Sequence, residues 1–158
     1  MPKHTEILIS ELKKLLNGGG AHVGFNDAVK DIPFHFLGEK PHGLPYSIWQ
    51  LVGHIRIAQW DMLEFSKDGS HQSPKWPDEY WPKETRPDSK EEWEETLQEI
   101  GSDLKKFIDL LMAVDIYEAI QQGGGQNILR EALQIADHNA YHIAEIVVIR
   151  RLLGIWKS

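Results

Sequence analysis

Cysteine is absent from the 158 residues. Its absence excludes disulfides, thiolate metal ligands and a cysteine nucleophile, so any bound metal must take nitrogen or oxygen donors, and it fits the reducing cytoplasm expected as the location. Long apolar runs are missing too. The stretch Ile146 to Ile149 stops at Arg150 and Arg151, far short of the roughly 20 residues that span a bilayer, so no membrane partner is expected. The opening MPKHTEILISELKKLL breaks its apolar residues with Glu6, Glu11, Lys13 and Lys14, and holds no signal-peptide hydrophobic region. Concentrated positive charge is lacking as well: the formal net charge is −7 and the basic residues are scattered, which opposes phosphate backbones and makes nucleic acid an unexpected partner. Nor is there a phosphate-cradling loop, because Gly18 to Gly20 follows a helical pattern instead of opening one, and Gly123 to Gly125 lacks a lysine and a preceding strand. No segment alternates as a strand should.

What is present is helical periodicity. Ile7, Leu8, Leu12, Leu15 and Leu16 recur at helical spacing, after a tolerated Pro2 and before the stop Asn17-Gly18-Gly19-Gly20. A connector rich in proline and glycine follows, with room for a short helix near Phe25 to Lys30. Ser47 and Gln50 have capping-box spacing ahead of the stripe Ile48, Leu51, Val52, Ile55, Ala58, Met62 and Leu63, which predicts a second long helix carrying His54. Ser89 and Glu92 repeat that spacing before Trp93, Leu97, Ile100, Leu104, Phe107, Ile108 and Leu111. A last helix is capped near Asn127 and stops at Gly154. Between the second and third long helices, SPKWPDEYWPKETRPD holds four prolines and predicts an ordered loop. Its Trp76, Tyr80 and Trp81 are expected to plug the open end of a core, with the roof of a pocket as the alternative. The composition, 41% hydrophobic and 26% charged, suits one globular domain over residues 1–158. Four amphipathic helices with long connections and a short extra helix predict an all-α, four-helix bundle.

The chemistry lies in ADHNAYHIAEIVVIRRLLG. His138 and His142 are four residues apart, which stacks two imidazoles on one helix face. Counted alone such a pair is weak, since eight histidines in 158 residues give one by chance about 0.4 times. Projection of the last helix puts Leu129, Ala132, Leu133, Ala136, Ile143 and Val147 on an apolar arc with the two histidines, Ile135 and Ile149 at its edge, while His54 shares the inward face of its own helix with Leu51, Ile55 and Ala58. One inward histidine alone reads as an ordinary buried residue satisfied by a backbone or carboxylate partner; three together read as a metal site. Three neutral imidazoles leave a divalent ion its full charge, so that a bound water or thiol loses its proton more readily. Asn139, Glu145 and Asp61 are the candidates to touch the ligands or the bound water. Asn139 projects into the apolar arc and needs a buried partner, whereas Glu145, Asp61 and Glu131 are expected as solvated carboxylates at the edge. The zinc-protease pattern H-E-x-x-H is absent, and the E-x-x-H pair Glu39 and His42 sits among Pro41 and Gly43, which disfavours a di-iron site.

The run SIWQLVGHIRIAQWDMLEFS, the loop SPKWPDEYWP and the closing LREALQIADHNAYHIAEIVVIRRLLG resemble the DinB/YfiT-like family, the DinB superfamily. The resemblance covers nearly the whole length. It implies a four-helix bundle, often dimeric, in which His54, His138 and His142 hold a divalent metal; imidazole suits zinc, nickel, iron and copper alike. It further implies a small-molecule substrate and, from relatives that are thiol-dependent transferases or an isomerase, a low-molecular-weight thiol cosubstrate. The sequence reading is thus a metal-dependent enzyme activating a thiol or water for S-transfer or hydrolysis. The alternative is a non-catalytic bundle that stores or senses a metal or small ligand, its site closed by Glu145 or Asp61. A weaker reading has ordinary core histidines in a module that dimerises through Val148 and Leu152.

Overall fold

The computed structural model describes residues 3–18 and 20–157, so Pro2 and Gly19 of the first helix's expected ends lie outside the described residues. The elements are α1 (Lys3–Asn17), the short α2 (Phe25–Val29), α3 (Ile48–Lys67), α4 (Lys90–Ala113) and α5 (Ile128–Leu152), with 3-10 turns at Phe34–Phe36 and Pro41–Gly43. The fold is an all-α bundle of the four long helices with α2 as an addition, and no strand occurs among the described residues. No helix among them is long and apolar enough to cross a membrane.

Helix starts follow the capping chemistry. Ser47 accepts from the Gln50 backbone N–H while the Ser47 backbone N–H donates to the Gln50 side chain, a complete capping box. Ser89 accepts from the Glu92 N–H, but the Glu92 carboxylate takes the Asp88 N–H at 2.6 Å; the second expected box is therefore half a box, its carboxylate reaching one residue further back. Asn127 caps α5 through the Arg130 N–H.

The pairings between α3 and α4 advance together: Trp49 lies against Trp93, Arg56 bonds Glu99 at 3.3 Å, and Gln59 Nε2 donates to the Ile100 carbonyl at 2.8 Å. These two helices are parallel, as the long link between them permits. Against α5 the pairings run the other way, Leu51 near Ile149 and His54 against His142 and His138. Two apolar clusters result. One gathers Leu12, Leu63, Phe107, Leu111 and Ile135, the other Val29, Leu37, Leu51, Ile55, Ile146 and Ile149. The α3–α5 seam passes from one to the other, and its polar side chains stand at the junction.

Burial departs from the sequence reading at several positions. Ile7 and Leu15 of α1 are about half exposed at 53% and 51%, while Ile9, outside the expected stripe, is buried. Leu133 is 47% exposed and Ile135 and Ile149 are fully covered: α5 meets α3 through its histidine-bearing face, so residues projected to the edge of the apolar arc are at its centre. Arg150 is buried because its guanidinium caps α2, donating to the Ala28 carbonyl at 2.7 Å and the Asp27 carbonyl at 3.2 Å.

The proline-rich loop runs along the first half of α3. Ser47 Oγ donates to the Thr85 carbonyl at 2.5 Å and Gln50 Nε2 to the Pro82 carbonyl at 3.2 Å. One turn beyond Gln50, the Pro82 ring occupies the space a side chain at Gly53 would need. Gly101 on α4 faces open space. Gly53→Ala is therefore expected to destabilise the protein by about 1–3 kcal/mol through overpacking, while Gly101→Ala stabilises it by about 0.5–1 kcal/mol. Urea unfolding of both variants checks the contrast, and a neutral Gly53→Ala would contradict the close approach.

Candidate metal centre

His54 enters the centre from α3, His138 and His142 from successive turns of α5, and one ring nitrogen of each lies within 4.8 Å of the others. His54 and His142 are buried and His138 is half-buried. The opposite ring edges settle which nitrogens converge. His54 Nδ1 is 2.8 Å from the Tyr80 carbonyl, which only accepts, so Nδ1 carries the proton. His142 Nδ1 is 2.7 Å from Glu145 Oε2 and is a donor for the same reason. His138 Nδ1 has a long 3.5 Å contact with Asn139 Oδ1. Each Nε2 is thereby left with its lone pair directed inward, and those of His54 and His138 are 3.0 Å apart. Two lone pairs at that separation repel unless a proton or a cation lies against them. A tetrahedral ion with nitrogen bonds of about 2.0–2.1 Å needs neighbouring donors about 3.3 Å apart; the His54–His138 pair at 3.0 Å is close to that, and the set as a whole, within 4.8 Å, would draw together around a divalent ion.

Burial sets the protonation states. His54 is pulled down to about 4 by loss of solvent, against the opposing Tyr80 carbonyl, with the neighbouring histidines lowering it further. His138 is lowered by burial and by His142. Near pH 7 these two imidazoles are neutral, the form that ligates metal.

The loop builds one wall. Trp81 stacks on His54 at 3.9 Å and 6°, and Tyr46 stacks on Trp81 at 3.9 Å and 9°. Tyr80 supplies the carbonyl on His54, and its hydroxyl donates to Asp61 at 2.6 Å. Burial and the adjoining Asp61 carboxylate push that phenol up to about 12, so it remains a donor. Trp81 packs against the second apolar cluster as a plug of the core would, and with Tyr80 it also walls the centre, ring and carbonyl meeting His54, while Trp76 remains 70% exposed.

The three polar candidates fall in different places. Glu145 meets an imidazole directly. Asn139 finds the buried partner it needs: its Nδ2 donates to Gln59 Oε1 at 2.9 Å, and Gln59 is fully covered. Asp61 and Glu131, expected as solvated carboxylates, are buried instead. Asp61 is held by Tyr80 and by His71 Nε2 at 3.0 Å and reaches His54 only through Tyr80, while Glu131 pairs with Arg130. Sequence reasoning missed Gln59, Tyr46 and His71. Ser47, Gln50, Gly53, His54 and Asp61 share the loop-facing side of α3, a stripe at helical spacing that signals a partner for that face but points to none of these three.

The sequence model of the DinB superfamily matches residues 23–146, a span that contains all three histidines and Glu145. No curated protein matches the chain, and no solved structure does.

Two outcomes follow for the isolated protein. Folded, metal-free His54 stays neutral down to pH of about 4, whereas the unfolded imidazole binds a proton near 6.5. The unfolded state therefore binds more protons across that window, and stability contributed by His54 falls as pH drops from 6.5 towards 4. Chelator-treated wild type is expected to lose more stability in urea between pH 7 and pH 5 than His54→Gln does; equal losses would contradict the assignment. Glu145→Gln is expected to weaken metal binding by about 10–100-fold, as loss of a carboxylate behind a ligating histidine does. Competition with a chromophoric chelator measures it, and unchanged affinity would remove Glu145 from that role.

Proposed function

The chain belongs to the DinB superfamily, and we propose that it is a metal-dependent enzyme whose three-histidine centre activates a thiol or a water for S-transfer or hydrolysis of a small molecule. The observation that carries the reading is the convergence of His54, His138 and His142 with their outer nitrogens on a carbonyl, an amide and a carboxylate. A divalent ion held there would supply Lewis acidity, the chemistry that makes a thiol or water nucleophilic near neutral pH.

The residues of the chain do the rest. The Tyr80 carbonyl and Glu145 hold the imidazoles of His54 and His142 in the tautomer that points Nε2 inward. Trp81, flat on His54, excludes water from that ring face. Asp61 keeps Tyr80 in place through its hydroxyl. The two carboxylates that would close a storage or sensor site are otherwise engaged, Glu145 with the far nitrogen of His142 and Asp61 with Tyr80 and His71. That engagement favours a catalytic centre with an open position over a closed one.

Untagged wild type is expected to carry close to one divalent ion per chain and His138→Ala to lose it, as read by elemental analysis. The loaded protein is then expected to act on a panel of electrophiles with low-molecular-weight thiols, or on hydrolysable esters and amides, and to stop on chelation. Equal, substoichiometric metal in wild type and variant would overturn the metal site. Metal without activity across both panels would give way to the sensor or store.

A further inference from the structure

Next to the centre, α3, α5 and the segment before α3 enclose a cleft of about 340 Å³ walled by Leu44, Tyr46, Leu51, Ala144, Val148 and Ile149. Small-ligand pockets are typically about 300–1,000 Å³, mostly apolar, with few polar groups. This cleft has one charged side chain in its wall, Glu145, with Tyr141 at the rim. The same Glu145 carboxylate accepts from His142, and the same Tyr46 ring backs the Trp81 that covers His54. Cleft and centre therefore share their dividing wall.

We propose that this cleft binds an uncharged, ring-sized apolar molecule, or the corresponding part of a larger one, and rejects anions. Size supports the class: an apolar cavity of about 150 Å³ holds benzene, so the cleft has room for a second ring. Charge supports the selectivity. No lysine or arginine lines the cleft; the Lys40 ammonium is committed to the carbonyl of the lining residue Pro45 at 3.0 Å, and the Arg150 guanidinium to backbone carbonyls of α2. An anion entering would lose water and meet Glu145 without a counter-ion. The floor of the cleft is closed and apolar: Leu51 and Ile149 contribute to the lining yet are only 1% and 2% exposed, beneath the open Val148 and Tyr141, so it offers a charged group no polar partner. Calling the occupant a substrate rests on the proposed function; its binding does not.

The test uses full-length protein, metal-free and metal-loaded, titrated with neutral N-phenyl-1-naphthylamine and with anionic 1-anilinonaphthalene-8-sulfonate, followed by fluorescence. The neutral dye is expected to bind saturably at one site per chain, and at least about tenfold more tightly than the sulfonate. Val148→Trp, which fills the cleft, is expected to weaken the neutral dye about tenfold or more with circular dichroism unchanged, and Leu44→Trp serves if that variant does not fold. Glu145→Gln is expected to narrow the gap between the dyes. Absence of saturable binding, equal affinity for both dyes, or affinity untouched in the folded filling variant would overturn the proposal. A neutral-dye signal that vanishes as sedimentation shows two copies associating would assign the wall to a dimer and overturn it as well. Dye binding in metal-free wild type and in His54→Gln reads this proposal alone: its retention there upholds the cleft whether wild type carries metal or not, and its loss in folded, metal-free protein overturns the proposal without touching the metal reading.

Discussion

Everything around the centre answers one constraint: three imidazoles pointing their lone pairs at one another, two of them 3.0 Å apart, in a place water barely reaches. A buried imidazole with an unsatisfied outer nitrogen would cost free energy and turn freely about its own bonds. The bundle prevents both by giving each outer nitrogen a different acceptor, drawn from a loop, from the neighbouring residue and from the next turn of α5. The seam that carries these groups lies where the two apolar clusters meet. Placed within either cluster, the same side chains would displace close-packed aliphatic groups; at the junction they replace contacts that neither cluster completes. Gln59 and Asn139 join the seam on the same principle, with Gln59 anchored to the Ile100 carbonyl of α4. The polar junction thereby fixes the relative register of α3, α4 and α5.

The loop between α3 and α4 is the second consequence. Because α3 and α4 are parallel, the chain must return along the bundle before α4 can begin, and it does so against the face of α3 that holds His54. Thr85, Pro82 and Tyr80 each present a carbonyl to that face. Proline-rich sequence suits this service, since it removes backbone donors that would need partners of their own and restricts the unfolded chain. Gly53 permits the approach, and the aromatic stack of Trp81 on His54 follows from it. Topology and site geometry are therefore one problem: the crossover that orders the helices also delivers the acceptor that orients a histidine.

The helices and their three expected caps were legible from the sequence because capping and periodicity are local, with only the return half of the Ser89 box displaced to Asp88. His54, His138 and His142 were legible for a similar reason, each lying on an inward face set by its own helix. Asp61 was misread as solvated since its burial comes from Tyr80 and His71, residues 10 to 19 positions away in a segment without periodicity. Leu133 and Ile135 exchanged places because hydrophobicity averaged around α5 cannot weigh the attraction of its histidine face to α3. Gln59 was overlooked as an isolated polar residue in an apolar stripe; only its partner Asn139, on another helix, explains it.

The outer acceptors also differ in strength, and this bears on how binding in the cleft would meet the chemistry. A carbonyl or an amide orients an imidazole, whereas a carboxylate also draws its Nδ1 proton outward and makes Nε2 a stronger donor. Among the three, that partner falls on His142, and the Glu145 side chain is partly exposed, at 38%. Its carboxylate has one side on the imidazole and the other on the apolar cleft. An uncharged molecule entering the cleft would strip water from Glu145, and a less hydrated carboxylate holds its remaining hydrogen bond, the one from His142, more tightly. Occupancy of the cleft would then be felt at Nε2 of His142 without any contact between the molecule and the histidines.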